Sequence, residues 1–524
     1  MRMRITTGMA MNTYRYNLQN STANKTDSMN KVLSHRKFSS FAEDPSAAVQ
    51  AWRVRRAMVN NACYAKNNTD TLTRFDIAYT TMGTVSGEVT DKAGRASDLY
   101  AVTDTTASGR APLGQVLNET AETIINLMNG AKSGENFVFA GDDELNAPFS
   151  WNASHTVLYY RGVDVNAGHV KSPADPPSWG PVDSTDPEQP ADRTDTAALS
   201  KAYLAHTVPE KTAEPGDEKE QEWINYYRNG NSAAAKPTSG IPDWAPRRTD
   251  GTVVYLDDAD AETEFARNFI EKLPDKDSSA YAQATTAEQA WINYYKDDPA
   301  GSPKPSDEPA VTGPMDDFGV PLDAAQTLKD STSTAYERAW AEYQIDQGDV
   351  KHLKMMSEEE ATIDLGMGLM EDENGNLIPG TYFDRSLPGI EMLGYGVDEN
   401  GDPNNVCMVL KRLGEIYSRC DRDTGEYASE EDVDEAMRLL DKLKAVQGYV
   451  SGQYVDISAQ ASYLKQNEER LELQGGYLNE QRATLEDVNL ADAITNFSWD
   501  YYCYSAALKV GTQLLSQSLI DYMN

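Results

Sequence analysis

The chain has 524 residues, 40% of them hydrophobic, and a formal net charge of −36. That length allows roughly three or four domains, while so acidic a balance lacks the basic face that nucleic acid requires and fits a self-repelling extracellular or high-salt surface. No run of about 20 apolar residues is present to span a membrane.

The charge is unevenly placed. Residues 1–141 hold 16 basic and 12 acidic side chains, residues 446–524 hold 4 and 10, and the stretch between holds 27 and 61. Of 24 prolines, only Pro45 and Pro112 lie outside that middle stretch. Two near-neutral, proline-poor ends (1–141 and 446–524) therefore flank an acidic, proline-rich insert (142–445).

The opening MRMRITTGMAMNTYRY carries two arginines but no apolar stretch, so it does not read as a secretory signal peptide. It leads into a polar helix whose apolar stripe, Met11, Tyr14, Leu18, Thr22, Met29, Val32 and Leu33, is thin. In FAEDPSAAVQAW, Asp44 is placed to cap a second helix and Pro45 suits its first turn, where no amide hydrogen is needed. Behind it Leu72, Phe75, Tyr79, Met82, Ser86, Val89, Ala93, Ala96 and Tyr100 alternate steps of three and four, a heptad seam. A further helix is expected after Pro112, through Val116, Leu117, Ile124, Ile125, Leu127 and Met128. It stops at Gly130 and Gly134, and Asn136 to Phe139 reads as a short strand.

The insert carries strand-like runs, TVLYY, TVVYL and ATIDLGMGLM, between loops too rich in Pro and Asp to pack. Its repeated motif is EWINYYR at 222–228, AWINYYK at 290–296 and AWAEYQ at 339–344. Trp223, Trp291 and Trp340 are each followed three residues on by Tyr226, Tyr294 and Tyr343, which places both rings on one helical face. The spacing is too irregular for a solenoid and points to duplicated helix-containing units. These aromatic pairs suit either glycan binding or, the favoured reading, anchoring each helix to a small sheet. DENGN at 372–376 and DENGD at 398–402 read as hairpin turns. DRDTGEYASEED at 421–432 matches a calcium loop poorly, since its glycine falls at the wrong position.

Toward the end, Ile457, Leu464, Leu471, Leu478 and Leu485 recur every seven residues. The positions between are polar (Gln460, Asn467, Gln474, Gln481), so this long helix is weakly stable alone. Asn489 caps the last helix, with Asp492 in its first turn. That helix carries Ile494, Phe497, Tyr501, Tyr504, Leu508, Gly511 and Leu515 on one face, widened by Ala507, Val510, Leu514 and Leu519.

Chemistry is sparse by comparison. The five histidines form no HExxH, and there is no GxSxG elbow and no phosphate-binding loop. Cys63, Cys407, Cys420 and Cys503 show no CxxC or metal spacing and read as buried free thiols. A Cys407–Cys420 disulfide would require an oxidising compartment. The expected fold is a mainly α-helical coiled-coil or bundle core formed by both chain ends, with an inserted α+β outer region. No catalytic, metal or cofactor site is expected.

Several segments carry a resemblance. RITT near the start, SHRKFSSFAEDPSAAVQAWRVR, MNGAKSGENFVFAGDD, YFDRSLPGIEMLGYG and the ending LEDVNLADAITNFSWDYYCYSAALKVGTQLLSQSLIDYMN resemble the flagellin superfamily. Within it they are most similar to the flagellar hook-associated protein 3 family, the hook–filament junction proteins. His35 and Arg36 depart from the family's usual helix–loop–helix residues, and Ala140 stands where the family has a glycine. The resemblance covers the two ends and little of the insert.

It implies a non-enzymatic structural protein of the extracellular bacterial flagellum. Such a protein is exported through the type III apparatus without a cleaved signal, with a cytosolic export chaperone. It forms a ring between the first hook-associated protein and the flagellin filament, and its terminal helices fold on assembly. Tyr14, Leu18, Leu33, Leu72, Phe75, Tyr79, Leu478, Leu485, Ile494, Phe497, Tyr501, Tyr504, Leu508, Leu514 and Leu515 are then the candidate assembly interface. The competing readings are a flagellin that forms the filament itself, and a secreted glycan-binding adhesin on a flagellin-like scaffold.

Overall fold

The computed structural model describes the chain except residues 1–6, 41, 101, 103–104, 187–188, 210–217, 229–235, 298–301, 310–313 and 524, and except the side chains of 7, 10, 105 and 514–523. The helices are α1 (Thr7–Ser34), α2 (Pro45–Tyr100), α3 (Arg110–Gly130), α4 (Thr196–Thr207), α5 (Glu218–Arg228), α6 (Ala261–Lys272) and α7 (Ser279–Gln283). They continue with α8 (Thr286–Lys296), α9 (Ala324–Lys329), α10 (Ala335–Ser357), α11 (Gly389–Leu393), α12 (Val406–Arg419), α13 (Glu430–Glu486) and α14 (Leu490–Met523). The strands are short: β1 (Lys132–Ser133), β2 (Asn136–Phe137), β3 (Phe149–Trp151), β4 (Leu158–Tyr160), β5 (Val163–Asp164), β6 (Thr362–Ile363) and β7 (Phe383–Asp384). They form antiparallel sheets β1-β2, β3-β4-β5 and β6-β7. The fold is thus predominantly helical with small antiparallel sheets, and helices from the two chain ends pack together. Among the described residues no helix is long and apolar enough to cross a membrane.

The chain folds as two compact units, one of residues 1–80, 360–386 and 454–524, the other of residues 81–359 and 387–453. In the first, α2 and α13 run antiparallel: Asn61 bonds Leu471, Asn68 bonds Leu464, and the Tyr79 and Tyr454 rings stack 5.0 Å apart. Leu72 and Phe75 on one helix and Ile457, Leu464 and Leu471 on the other are buried along this seam, each such side chain contributing about 1.5–3 kcal/mol. The capping expectations hold. Asp44 Oδ1 accepts from Ala47 N at 2.9 Å, and Asn489 Oδ1 accepts from Ala491 N at 3.1 Å. The connector after α1 lies along the end of α13: Val488 N donates to His35 O at 3.1 Å and Lys37 N to Glu486 O at 2.7 Å. The β6-β7 segment seats Phe383 edge-on to Phe75, with ring centres 5.4 Å apart.

In the second unit, residues 81–100 of α2 and 430–453 of α13 supply Met82, Val85, Val89, Leu439 and Leu443 to a core shared with α3 and α12. The α3–α12 crossing depends on Gly114, where an added Cβ would lie 2.6 Å from the Gly414 carbonyl oxygen. A second cluster gathers Tyr203, Trp223, Tyr227, Phe265, Phe269, Trp291 and Tyr295 from α4, α5, α6 and α8.

Several sequence expectations need correction. The insert combines helices (α4 to α12 and the start of α13) with the short strands β3 to β7, and much of it is loop. TVLYY contains β4, but TVVYL is reduced to a single bridge between Arg247 and Val253. The amides that would extend it are claimed by side chains: Tyr255 N donates to Asp258 and Leu256 N to the Tyr226 hydroxyl. In ATIDLGMGLM the strand ends at Ile363, because Gly366 and Gly368 (φ 78° and 84°) turn the backbone. The strand at Asn136 ends at Phe137, and Ala140 instead bridges to Pro388. DENGN and DENGD are indeed hairpin turns, closed by Glu371–Leu377 and Val397–Pro403 bridges. All four cysteines are free. Cys407 and Cys420 are buried, but Cys63 and Cys503 are exposed, on helix faces turned away from their partner helices. Cys407 and Cys420 lie at opposite ends of α12, about 20 Å apart at 1.5 Å per residue, too far to pair. Burial pushes the Cys407 thiol up, which makes it inert.

Candidate assembly interface

The candidate site lies on the terminal helices of the first unit, where α1 and α14 pack antiparallel. Tyr14 abuts Gly511, a position where any Cβ would collide with the ring. Further along, the Lys25 ammonium sits over the Tyr504 ring at 4.5 Å. Next, the Ser28 hydroxyl donates to Asp500. Tyr14, Leu18, Phe497 and Tyr504 are consequently half-buried.

The predicted apolar face of α14 divides in two. Tyr504 and Gly511 turn toward α1. Leu490 (40% exposed), Ile494 (46%), Tyr501 (56%) and Leu508 (42%) form an adjacent stripe, at steps of four and seven, that α1 leaves open. Leu33 at the end of α1 is also exposed. The side chains of Leu514 and Leu515 lie outside the described residues. Leu72 and Phe75 are consumed inside the α2–α13 seam, whereas Leu478 and Leu485 are half-buried and Tyr79 is partly open. Leu485 lines an open groove of about 670 Å³ with Val54 and Tyr477.

Two features of this unit escaped the sequence reading. On α2, Val49, Trp52, Arg56, Val59 and Cys63 repeat at steps of three and four on an exposed face, and the Arg56 guanidinium lies 5.8 Å from the Trp52 ring centre. The spacing was present in VQAWRVRRAMVNNAC, but the three arginines disguise it. The second is a polar pair in the seam. Asn61 and Asn68 continue the seven-residue step of Phe75 and Met82 backward, and each donates to a carbonyl of α13 at 2.9 Å.

Electrostatics anchor the end of the seam. Arg55 pairs with Glu486 at 2.6 Å, the carboxylate being almost wholly enclosed. The hydrogen bond raises the arginine's proton affinity further. Among the described residues no group of three or more His, Cys, Asp or Glu side chains is arranged to hold a metal.

The insert aromatic pairs lie elsewhere, in the second unit, and present no platform. Trp223, Tyr226, Trp291, Tyr294 and Trp340 are buried and Tyr343 is half-buried. They do anchor their helices, but onto loops and neighbouring helices rather than a sheet. Each indole N–H donates to a loop carbonyl, those of Ser239, Pro173 and Pro305 at 3.1–3.2 Å.

No protein-family model and no curated protein matches the chain.

Proposed function

We propose that this chain is a structural subunit of the bacterial flagellum, assembling as a ring that joins the first hook-associated protein to the flagellin filament. It reaches the cell exterior through the type III apparatus, accompanied in the cytosol by an export chaperone. The observation that carries this reading is the open stripe of Leu490, Ile494, Tyr501 and Leu508 on α14. A helix with one apolar face covered and a second, adjacent one open is built to take a partner on each. The resemblance of the two chain ends to the junction family supplies that partner's nature: the same helices of neighbouring subunits. The acidic insert then supplies a solvated outer surface.

Immunogold labelling of isolated flagella with antibody to residues 142–445 tests the proposal. Label confined to the hook–filament boundary is expected. Label along the whole filament would make the chain a flagellin, and flagella free of label would overturn the flagellar reading altogether.

A further inference from the structure

The three Trp-bearing helices belong to three copies of one unit, and two copies have exchanged parts. Each copy opens with a Pro-rich loop and a small hairpin and ends in a Trp helix. The loops PPSWGP (176–181) and IPDWAP (241–246) share a Pro-x-Trp-x-Pro core, Pro177, Trp179 and Pro181 matching Pro242, Trp244 and Pro246. The hairpins that follow are closed alike: Ala191 N to Pro181 O at 2.9 Å, Val254 N to Pro246 O at 3.0 Å, and Leu322 N to Pro314 O at 3.1 Å.

In the third copy, Trp340 of α10 bonds Pro305 in the loop that precedes it. The first two copies are crossed. Helix α5 ends the first copy but docks on the second: Trp223 donates to Ser239 O at 3.2 Å, Tyr227 to Val254 O at 2.7 Å, and Leu256 N donates to the Tyr226 hydroxyl at 3.0 Å. Helix α8 ends the second copy but docks on the first: Trp291 donates to Pro173 O at 3.1 Å, Tyr295 to Ala191 O at 3.0 Å, and Arg193 N donates to the Tyr294 hydroxyl at 3.2 Å. Each of these tyrosine hydroxyls also donates to a carboxylate, Tyr226 to Asp257 and Tyr294 to Asp192, on opposite sides of the bonded amide. Phe265 and Phe269 of α6 bridge the two, packing on Tyr227 and Tyr295.

We infer that 171–193 and 236–256 are two copies of one socket that recognises a W-I-N-Y-Y helix, and that their reciprocal exchange locks both copies into a single cooperative block. Releasing either helix empties the other copy's socket, so neither copy opens by itself. The third copy is closed on its own loop and takes no part in the exchange, although α10 packs along α8.

Hydrogen exchange on the full chain tests this. Trp223→Ala is expected to remove amide protection from α5 and 236–256, and equally from α8 and 171–193. Trp291→Ala should give the same pattern, and the double variant no more. Trp340→Ala should leave both sockets protected. Tyr227→Phe and Tyr295→Phe, which each delete one hydroxyl bond and keep the ring, guard against gross misfolding. Each should speed exchange about threefold to tenfold in both sockets together. Protection lost only around the altered helix and the socket it fills, in either series, would overturn the interlock.

Discussion

The Asn68 side-chain amide donates to the Leu464 carbonyl at 2.9 Å, in the middle of the seam between α2 and α13. One heptad away Asn61 does the same to Leu471, and Asn467 returns a bond to the Asn68 oxygen at 2.8 Å. A buried amide that finds its partners at one alignment only penalises every other alignment. Sliding α13 by a heptad would part Asn467 from Asn68. These asparagines therefore fix the register of two long helices whose apolar pattern alone repeats too regularly to choose one.

Asn68→Ala should consequently destabilise the first unit by about 1–3 kcal/mol, the cost of an unmatched buried partner. Asn467→Ala should cost less when Asn68 is already absent, because the two share a bond. Native-state hydrogen exchange across 454–486 measures both. Additive effects of the two substitutions would remove the argument for a coupled pair.

How much of this was legible beforehand follows from what each signal depends on. Period-seven leucines, Asp44 and Asn489 are local, and the helices they announce appear where expected. The strand-like run TVVYL failed because its amides are taken by Asp258 and Tyr226, partners that only the fold brings near. The WINYY repeat was visible, but not the exchange of α5 and α8, since identical sequences cannot say which socket each helix enters. On α14 the apolar face was legible in full. Its division into a half facing α1 and a half left open depends on where Tyr14 meets Gly511.

That division makes a prediction about association. Ile494→Asp and Leu508→Asp place a charge on side chains 46% and 42% exposed in the single chain, so the fold should tolerate them. If the open stripe is covered by neighbours, the same charge becomes buried and unpaired on assembly, a cost of several kcal/mol. Sedimentation velocity should show wild-type oligomers lost in both variants, with unchanged helical circular dichroism. Oligomers that persist in both would remove the stripe from the interface.

A pH dependence is expected from α10. Asp349 is half-buried, and burial together with the charges of Asp346, Asp164 and Asp316 lifts its carboxyl from 3.8 to about 6. The native state then holds this proton more tightly than the unfolded chain. The contribution to stability is complete below 3.8 and is lost as pH rises through about 6. Asp349→Asn keeps a neutral side chain throughout. It should melt at the same temperature as wild type in acid and higher at neutral pH. A variant with no advantage at neutral pH would show that the neighbouring carboxylates are relaxed by solvent.

The last prediction concerns Arg110, which closes the C-terminus of α2. Its guanidinium donates to the carbonyls of Leu99, Tyr100 and Val102 at 2.6–2.8 Å and to Gly425 O at 2.5 Å, while lying 4.5 Å from the Tyr427 ring centre. Two of those carbonyls, Leu99 and Tyr100, are free ends left where α2 stops, at the negative pole of the helix dipole. One buried cation thus satisfies them together and ties the loop at Gly425 to α2. Arg110→Met preserves the apolar stem and removes all the donors, leaving several buried carbonyls unpaired. The expected loss is about 3–5 kcal/mol, the range for breaking a buried charged network. Arg110→Lys should recover only part of it, since an ammonium lacks the planar fork needed to reach all four oxygens. The melting temperature of the second unit orders the three proteins, and a methionine variant as stable as the lysine one would show that packing on Tyr427, rather than the carbonyl cage, holds this corner.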